Sequence, residues 1–387
     1  MIPYGKHRID QKDVDSVVRA LKSKFLTQGP LVKKFENSLK SITKAKYALA
    51  VNSATSALHI SCLALGIDNK KIVWTVPNTF VSTANAALFC GAKIDFVDID
   101  SDTLNICIKS LSEKLILSKE KNLKPDLLIT VHLGGKPTES KEIRRLSKMY
   151  NFKIIEDASH SFGAKYYKKN VGCSLWSDIT VFSFHPVKMI TTGEGGAALT
   201  NNKNIYDNLI LYGNNGVTKD KKKFIFKNNQ PNYYEQQVLG FNYRLTEIQA
   251  ALGISQLKKI NKYVKERNLL ANYYKKKLIH PNILFQKIPK NFICSYHLLI
   301  IKIKGEKNKL LRNKIITYLL SKNIYAGIHY YPVHLHPYYK KIGFSERVYP
   351  NSEEHSRNSI SLPIYSGLKI KNLDLIIKYI LKIMNDK

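Results

Sequence analysis

Cysteine is scarce: five in 387 residues, at positions 62, 90, 107, 173 and 294, far apart and never in a C-x-x-C pair. That spacing argues against a disulfide framework and a thiolate zinc site, and it fits a reducing compartment. Long apolar runs are also lacking. No stretch of about 18 uncharged apolar residues occurs, so no membrane partner is expected. Residues 1–10, MIPYGKHRID, lack the apolar core of a secretion signal, so a cytoplasmic protein is expected. There is no repeat of fixed period and no Gly/Ser- or Pro-rich linker, so domains must be read from the order of elements.

Acidic residues are few. There are 29 Asp+Glu against 62 Lys+Arg, a formal charge of +33. Such an excess raises nucleic acid or an anionic surface as a partner. Arginine, the fork that base and phosphate readers favour, supplies only nine of the 62. The 53 lysines are spread along the chain, with short runs at 221–223 and 275–277. They read as solvated helix faces, and no nucleic-acid partner is expected. A basic nucleic-acid-binding regulator stays as a remote alternative, one that would need a contiguous basic face. Apolar residues are plentiful, 44% of the chain, enough for a large core and, at this length, for two or so domains.

The spacing of Val14, Val17, Val18 and Leu21 predicts a helix over 13–24, and a second follows over 31–41 after the loop Leu26–Pro30. Short apolar strands then alternate with helices. Strands are expected at 47–51, 71–75, 93–97, 127–132, 153–157 and 178–184, with helices through 65, over 81–90 and over 139–150. This alternation predicts an α/β fold with a mostly parallel sheet covered on both faces, its ligands beyond the carboxyl ends of the strands. After Leu199 the alternation stops. A polar, aromatic stretch at 213–244 leads into one long helix over 245–270. Strands at 296–304 and 324–329, with helices at 307–322 and 372–385, then suggest a smaller α+β unit. The expected division is a large domain over 1–255, carrying an N-terminal substrate segment, and a small C-terminal domain over 256–387.

Four strand ends carry residues suited to an anionic aromatic ligand. Asn52–Ser56 is small and hydroxyl-bearing between a strand and a helix, which makes a phosphate site or a plain N-cap. Glu156 and Asp157 end a buried strand, where a carboxylate needs a charge partner such as a protonated pyridine nitrogen; a helix cap is the alternative. Ser183–Lys188, followed by Thr192–Gly196, sets one lysine just past a strand among glycines and hydroxyls. A lysine pressed against a carbonyl compound is the usual route to a Schiff base. Phe80, after Pro77–Thr79, offers a ring that stacks on a planar ligand or packs in the core.

Together these segments, with Leu239–Thr246, resemble the DegT/DnrJ/StrS family of sugar-nucleotide aminotransferases, which use pyridoxal 5′-phosphate on the fold-type-I aspartate aminotransferase scaffold. The resemblance spans nearly the whole chain, in the family's order. It implies that Lys188 carries the cofactor and moves protons on it, and that Asp157 pairs with the pyridine nitrogen. His160 and Phe80 would lie on the two faces of the ring. Thr55, Ser56 and Ser183 would bind the phosphate, and Asn242 would reach it from a neighbouring subunit of a homodimer with shared active sites. Dehydratase relatives carry His where this chain has Lys188, which favours the transaminase reading.

The opening residues, the loop at 22–30 and the Ser183–Lys188 form resemble one branch. It transfers nitrogen from L-glutamate to the 4-keto carbon of a UDP-linked 6-deoxy-N-acetylhexosamine, toward pseudaminic acid. On this resemblance Tyr4, Lys6, Leu26, Thr27, Gln28, Gly29, Ile328, His329, Tyr330 and Tyr331 would line the nucleotide-sugar pocket. Other branches aminate UDP-4-keto-arabinose or GDP-4-keto-6-deoxymannose. The Lys/Asn-rich loop at 217–230 departs from the pattern, as a surface loop or as a cover of the site mouth. His329, His334 and His336 have poor ligand spacing and no nearby carboxylate or cysteine, so no metal is expected.

Overall fold

The computed structural model describes residues 1–120, 123–226, 228, 230–305 and 308–385. Seven strands form the main sheet: β1 Tyr47–Val51, β2 Ile72–Thr75, β3 Lys93–Phe96, β4 Leu127–Val131, β5 Lys153–Asp157, β6 Ile179–Ser183 and β7 Gly196–Thr200. Their order is β1-β7-β6-β5-β4-β2-β3. From β3 to β6 every pair is parallel, while β7 runs against both β6 and β1. The sheet is mostly parallel, as the alternation predicts. Every residue of β4, β6 and β7 is buried, because helices cover both faces and leave no wet side for polar alternation.

The helix Ala54–Ala64 has eight of its eleven residues buried. Its Ala, Leu, Ile and Ser side chains suit it on all sides to a place between other elements. Gly196 explains its close fit to the sheet: a Cβ there would lie 2.5 Å from the Ser53 backbone. The start of β7 and the start of this helix therefore touch at a point that admits only glycine.

The C-terminal unit is a three-stranded antiparallel sheet, with β8 Ile283–Phe285, β9 Leu299–Ile303 and β10 Ser359–Leu362 in that order. Ile301, Ile303, Ile360, Ile376 and Ile380 form part of its own core, closed by the helices Asn308–Ser321 and Ile370–Asn385. Residue 307, the expected start of the first of these helices, lies outside the described residues.

Several expectations need correction. The single helix over 245–270 is two, Glu247–Leu257 and Ile260–Lys277. Ala250, Leu257, Ile260 and Tyr263 belong to the core beside β1, β6 and β7, whereas Leu270, Ala271 and Tyr274 belong to the C-terminal core. The chain bends between to serve both. No ladder forms over 324–329: Ile324 pairs with Ile2 and Gly327 with Ser361, single bridges to two different partners. After Leu199 a further helix, Lys203–Gly213, is capped by Asn202.

The first residues of the N-terminal segment pair with the C-terminal unit. Ile2 N–H donates to Asn323 O at 2.8 Å, Tyr325 N–H to Ile2 O at 2.8 Å, and Ile364 N–H to Tyr4 O at 3.0 Å. Further on, Arg8 O accepts from Gln256 Nε2 at 2.9 Å. The segment is a strap across both units, held mainly by main-chain bonds that no side-chain pattern announces.

Candidate active site

The carboxyl ends of β1, β2, β5 and β6 open on one cavity of about 510 Å³. Asp157, the last residue of β5, is buried there. Its Oδ1 accepts from Ser159 Oγ at 2.6 Å and from the Ser159 amide at 3.1 Å, and its Oδ2 accepts from Thr83 Oγ1 at 2.7 Å. Thr83 is itself bonded to Thr79 at 2.8 Å. The carboxylate is thereby aimed from two sides.

Lys188 lies in the loop joining β6 to antiparallel β7. The neck of that loop is pinned: Phe184 N–H donates to Gly195 O at 2.8 Å, and Thr192 N–H to Phe184 O at 3.0 Å. Burial pulls the Lys188 ammonium down to about 8, with the Asp157 charge opposing. An amine at that value is partly neutral near pH 7 to 8 and able to attack a carbonyl.

Ser53 caps the helix Ala54–Ala64, its Oγ accepting from Ser56 N–H at 3.0 Å. The first-turn amides of a helix have no partner within it, and they and the dipole form an anion cup. Ser53, Ala54, Thr55 and Ser183 line the cavity. Ser56 does not: its hydroxyl donates to Asn52 Oδ1 at 2.6 Å, so it steadies the cup from behind. The His160 ring is buried, with Nδ1 accepting from Gly134 N–H at 3.3 Å and Nε2 3.1 Å from Tyr330 Oη. Burial first, then the charge on Lys188, holds it well below the usual histidine range, so it is neutral.

The cavity therefore gathers Tyr4, Thr55, Phe80, Asp157, His160, Ser183, Lys188, His329 and Tyr330. The other expected residues lie elsewhere. Lys6 lines a small adjoining crevice with Lys188 and Arg267. Thr27 pairs with Thr246, and Glu247 N–H donates to Leu26 O at 2.9 Å, which places the Leu26–Gly29 loop against the segment carrying Asn242. Ile328 and Tyr331 flank the lining pair but are not part of the wall, and neither is any described residue of 217–230; Lys227 and Asn229 of that loop lie outside the described residues. His334 Nε2 meets Glu353 at 3.2 Å, and the His336 ring packs edge-on against Tyr331 at 5.1 Å.

Ser53, within the expected Asn52–Ser56 segment, lines the cavity, and so do Thr79, Ser82, Ser159, His185 and Glu194, to which sequence reasoning gave no role of their own. Ser159, two residues past Asp157, has the spacing of a local carboxylate clasp. Thr79 and Thr83 stand four apart at a helix start, a signal that could have found them.

An anion cup, a buried carboxylate, two rings and a pressed lysine on one cavity suit pyridoxal phosphate. A family model for DegT/DnrJ/EryC1/StrS aminotransferases matches residues 7–381. The chain belongs to this family. It is therefore an aminotransferase, of a family that depends on pyridoxal 5′-phosphate. It is 37% identical over 373 residues to the UDP-4-amino-4,6-dideoxy-N-acetyl-β-L-altrosamine transaminase of Campylobacter jejuni, covering 96% of this chain and 94% of that one. Among solved structures it resembles Helicobacter pylori PseC, an aminotransferase involved in pseudaminic acid biosynthesis, with TM-score 0.89, 31% identity and 99% and 98% of the two chains covered. A putative sugar aminotransferase from Streptococcus pneumoniae, solved in its PLP form, matches with TM-score 0.88 at 25% identity over 99% and 98%. No helix among the described residues is long and apolar enough to cross a membrane.

Proposed function

We propose that the protein transfers the amino group of L-glutamate to C-4 of a UDP-linked 4-keto-6-deoxy-N-acetylhexosamine. The product is UDP-4-amino-4,6-dideoxy-N-acetyl-β-L-altrosamine, for pseudaminic acid synthesis. The observation that carries the reaction is the meeting of Lys188 and Asp157 in one cavity beside a helix N-terminus. The likeness to the Campylobacter jejuni transaminase supports the choice of sugar.

Pyridoxal phosphate supplies the electron sink for the bond changes at the carbon that loses or gains nitrogen. Asp157, its two oxygens fixed by Ser159 and Thr83, would hold the proton on the pyridine nitrogen. The cup at Ser53–Thr55, with Ser183, holds the phosphate. Neutral His160 would add no charge beside a bound ring, and Phe80, on the same cavity, would pack against it. Lys188 Nζ takes the proton from the donor's α-carbon and delivers one to C-4 of the sugar, a task that suits an amine near pKa 8.

The same reading includes a homodimer. Asn242 and the Leu26–Gly29 loop, outside their own chain's cavity, serve the partner subunit's site. It also includes the division into a cofactor-binding large domain, 1–255, and a small domain, 256–387, with Tyr4 brought to the sugar by the strap.

The test is incubation with glutamate and a panel of UDP- and GDP-linked 4-keto sugars, with products followed by mass and NMR. Amination of the UDP-linked 6-deoxy-N-acetylhexosamine at C-4 is expected. Preferred amination of UDP-4-keto-arabinose or GDP-4-keto-6-deoxymannose overturns the substrate, and parent-rate turnover by Lys188→Ala overturns the lysine's role.

A further inference from the structure

His160 and Tyr330, 170 positions apart in the chain, meet at the cavity wall, Nε2 to Oη at 3.1 Å. The other ring nitrogen, Nδ1, accepts the Gly134 amide N–H at 3.3 Å. A ring nitrogen that accepts carries no proton, and a neutral imidazole has one proton to place. Since His160 is neutral, that proton sits on Nε2. Nε2–H therefore donates to Tyr330 Oη, and the Tyr330 hydroxyl must send its own proton elsewhere.

Among the described residues Tyr330 Oη has no hydrogen-bond partner besides His160, and the cavity lies beside it. Tyr330 N–H is tied to Asn78 Oδ1 at 2.9 Å, and its ring packs near Phe80, centroids 6.2 Å apart. Tyr330 borders the same cavity as Lys188 and Asp157. Burial pushes the phenol well above its ordinary value, so it keeps its proton across the working pH range. Two other hydroxyls on that wall are already committed: Ser159 donates to Asp157, and Thr79 pairs with Thr83.

From this geometry we infer that Tyr330 is the hydrogen-bond donor for the keto oxygen of the acceptor sugar. The inference deepens the proposed reaction and rests on it. With Oη already accepting from His160, the Tyr330 O–H is a fixed donor. It polarises the C-4 carbonyl as nitrogen adds and holds the charge that develops on its oxygen, which then takes up the two protons the nitrogen gives up and leaves as water. Such donors act because they are oriented before the reaction. The Gly134 amide is the far end of the chain of bonds that orients this one. The donor half forms its keto oxygen from water only after the α-proton has moved, so the absorbance change that follows glutamate addition comes before any keto oxygen exists and does not need this bond.

The test uses holoenzyme carrying Tyr330→Phe and follows the two half-reactions separately by the cofactor's absorbance, with glutamate first and the UDP-4-keto sugar second. The acceptor half-reaction is expected to slow about 100-fold, while the donor half changes less than about twofold. A second form carries 3,5-difluorotyrosine at 330, whose phenol is more acidic. The parent phenol stays protonated across the working range. The fluorinated form is therefore expected to lose the acceptor half-reaction at a lower pH than the parent, as its own phenol ionises, and to leave the donor half in place, which a packing role would not do. Equal loss in both halves, an unchanged acceptor half, or no earlier loss of the acceptor half as pH rises overturns the inference. If the parent protein takes nitrogen from glutamate but returns it to no keto sugar, the underlying reaction is wrong and the inference falls with it. That failure is distinguishable because it appears without any substitution.

Discussion

Lys188 and Lys136 are both drawn down to about 8 by burial, yet only Lys188 borders the cavity. Its neutral fraction rises through about pH 8, well below the range of an ordinary lysine. Capture of pyridoxal phosphate by the apoprotein, trapped with borohydride, should therefore rise through about pH 8 and level off; a rise that continues to pH 10 refutes the depressed value. Lys136 is 1% exposed, donates to Pro137 O at 3.0 Å and lies 4.6 Å from the Phe292 ring centre. Between pH 8 and about 10.4 the unfolded chain holds a proton there that the native protein has released, so stability from this group rises with pH across that window. Lys136→Met should gain stability over the parent, by at most about 3 kcal/mol, below pH 8, and lose the advantage as pH nears 10. Urea unfolding at pH 7 and pH 10 checks it.

At the scale of elements, one side chain substitutes for a cap. The helix Pro30–Thr43 begins after Gly29, which has no side chain to cap it. Glu247, from another helix, accepts the Leu31 and Val32 amides at 2.7 and 3.0 Å. A Cβ at Gly29 would sit 2.7 Å from the Glu247 carboxylate and 2.6 Å from Phe25 Cβ. Gly29→Ala should cost about 1 to 3 kcal/mol, and Glu247→Ala about 1 to 2, by thermal unfolding. A loss under a few tenths from either would show that the cap is not needed. Legibility in the sequence also varied by element. Strands with blocks of Ile, Leu and Val stood out, as did lysine and aspartate at strand ends. Strand β7, Gly-Ala-Ala-Leu-Thr after a glycine-rich loop, is built of small residues that fit a crowded centre and carry little β signal. The bend between Leu257 and Ile260 interrupts no periodicity, so the pattern alone predicts a continuous helix. Gly134 contributes only an amide, and Ser56 has the hydroxyl of a phosphate ligand but spends it on Asn52; neither fact is written in residue type.

For the whole molecule, the strap formed by residues 2–8 joins the C-terminal unit to the helix Glu247–Leu257 while presenting Tyr4 to the cavity. Deleting residues 1–9 should speed hydrogen exchange at Tyr325 and Ile364, whose amides the strap accepts, and leave β4 and β5 unchanged; equal protection in both proteins would contradict this. The charge of +33 acts at the same scale. It attracts a sugar-linked diphosphate from a distance, so kcat/KM should fall as salt rises while kcat holds. A kcat/KM indifferent to salt would remove that role.

The β6–β7 hairpin has a consequence in time. Its loop closes between near neighbours in the sequence, whereas His160 and Tyr330 are 170 positions apart. Short-range closures form early and long-range ones late, and a chain under synthesis folds from its first residues. On the ribosome, Lys188 can be seated between its two strands before Tyr330 has been translated. A nascent chain stalled between these points would carry the reactive amine before it carried the group that aims at the sugar.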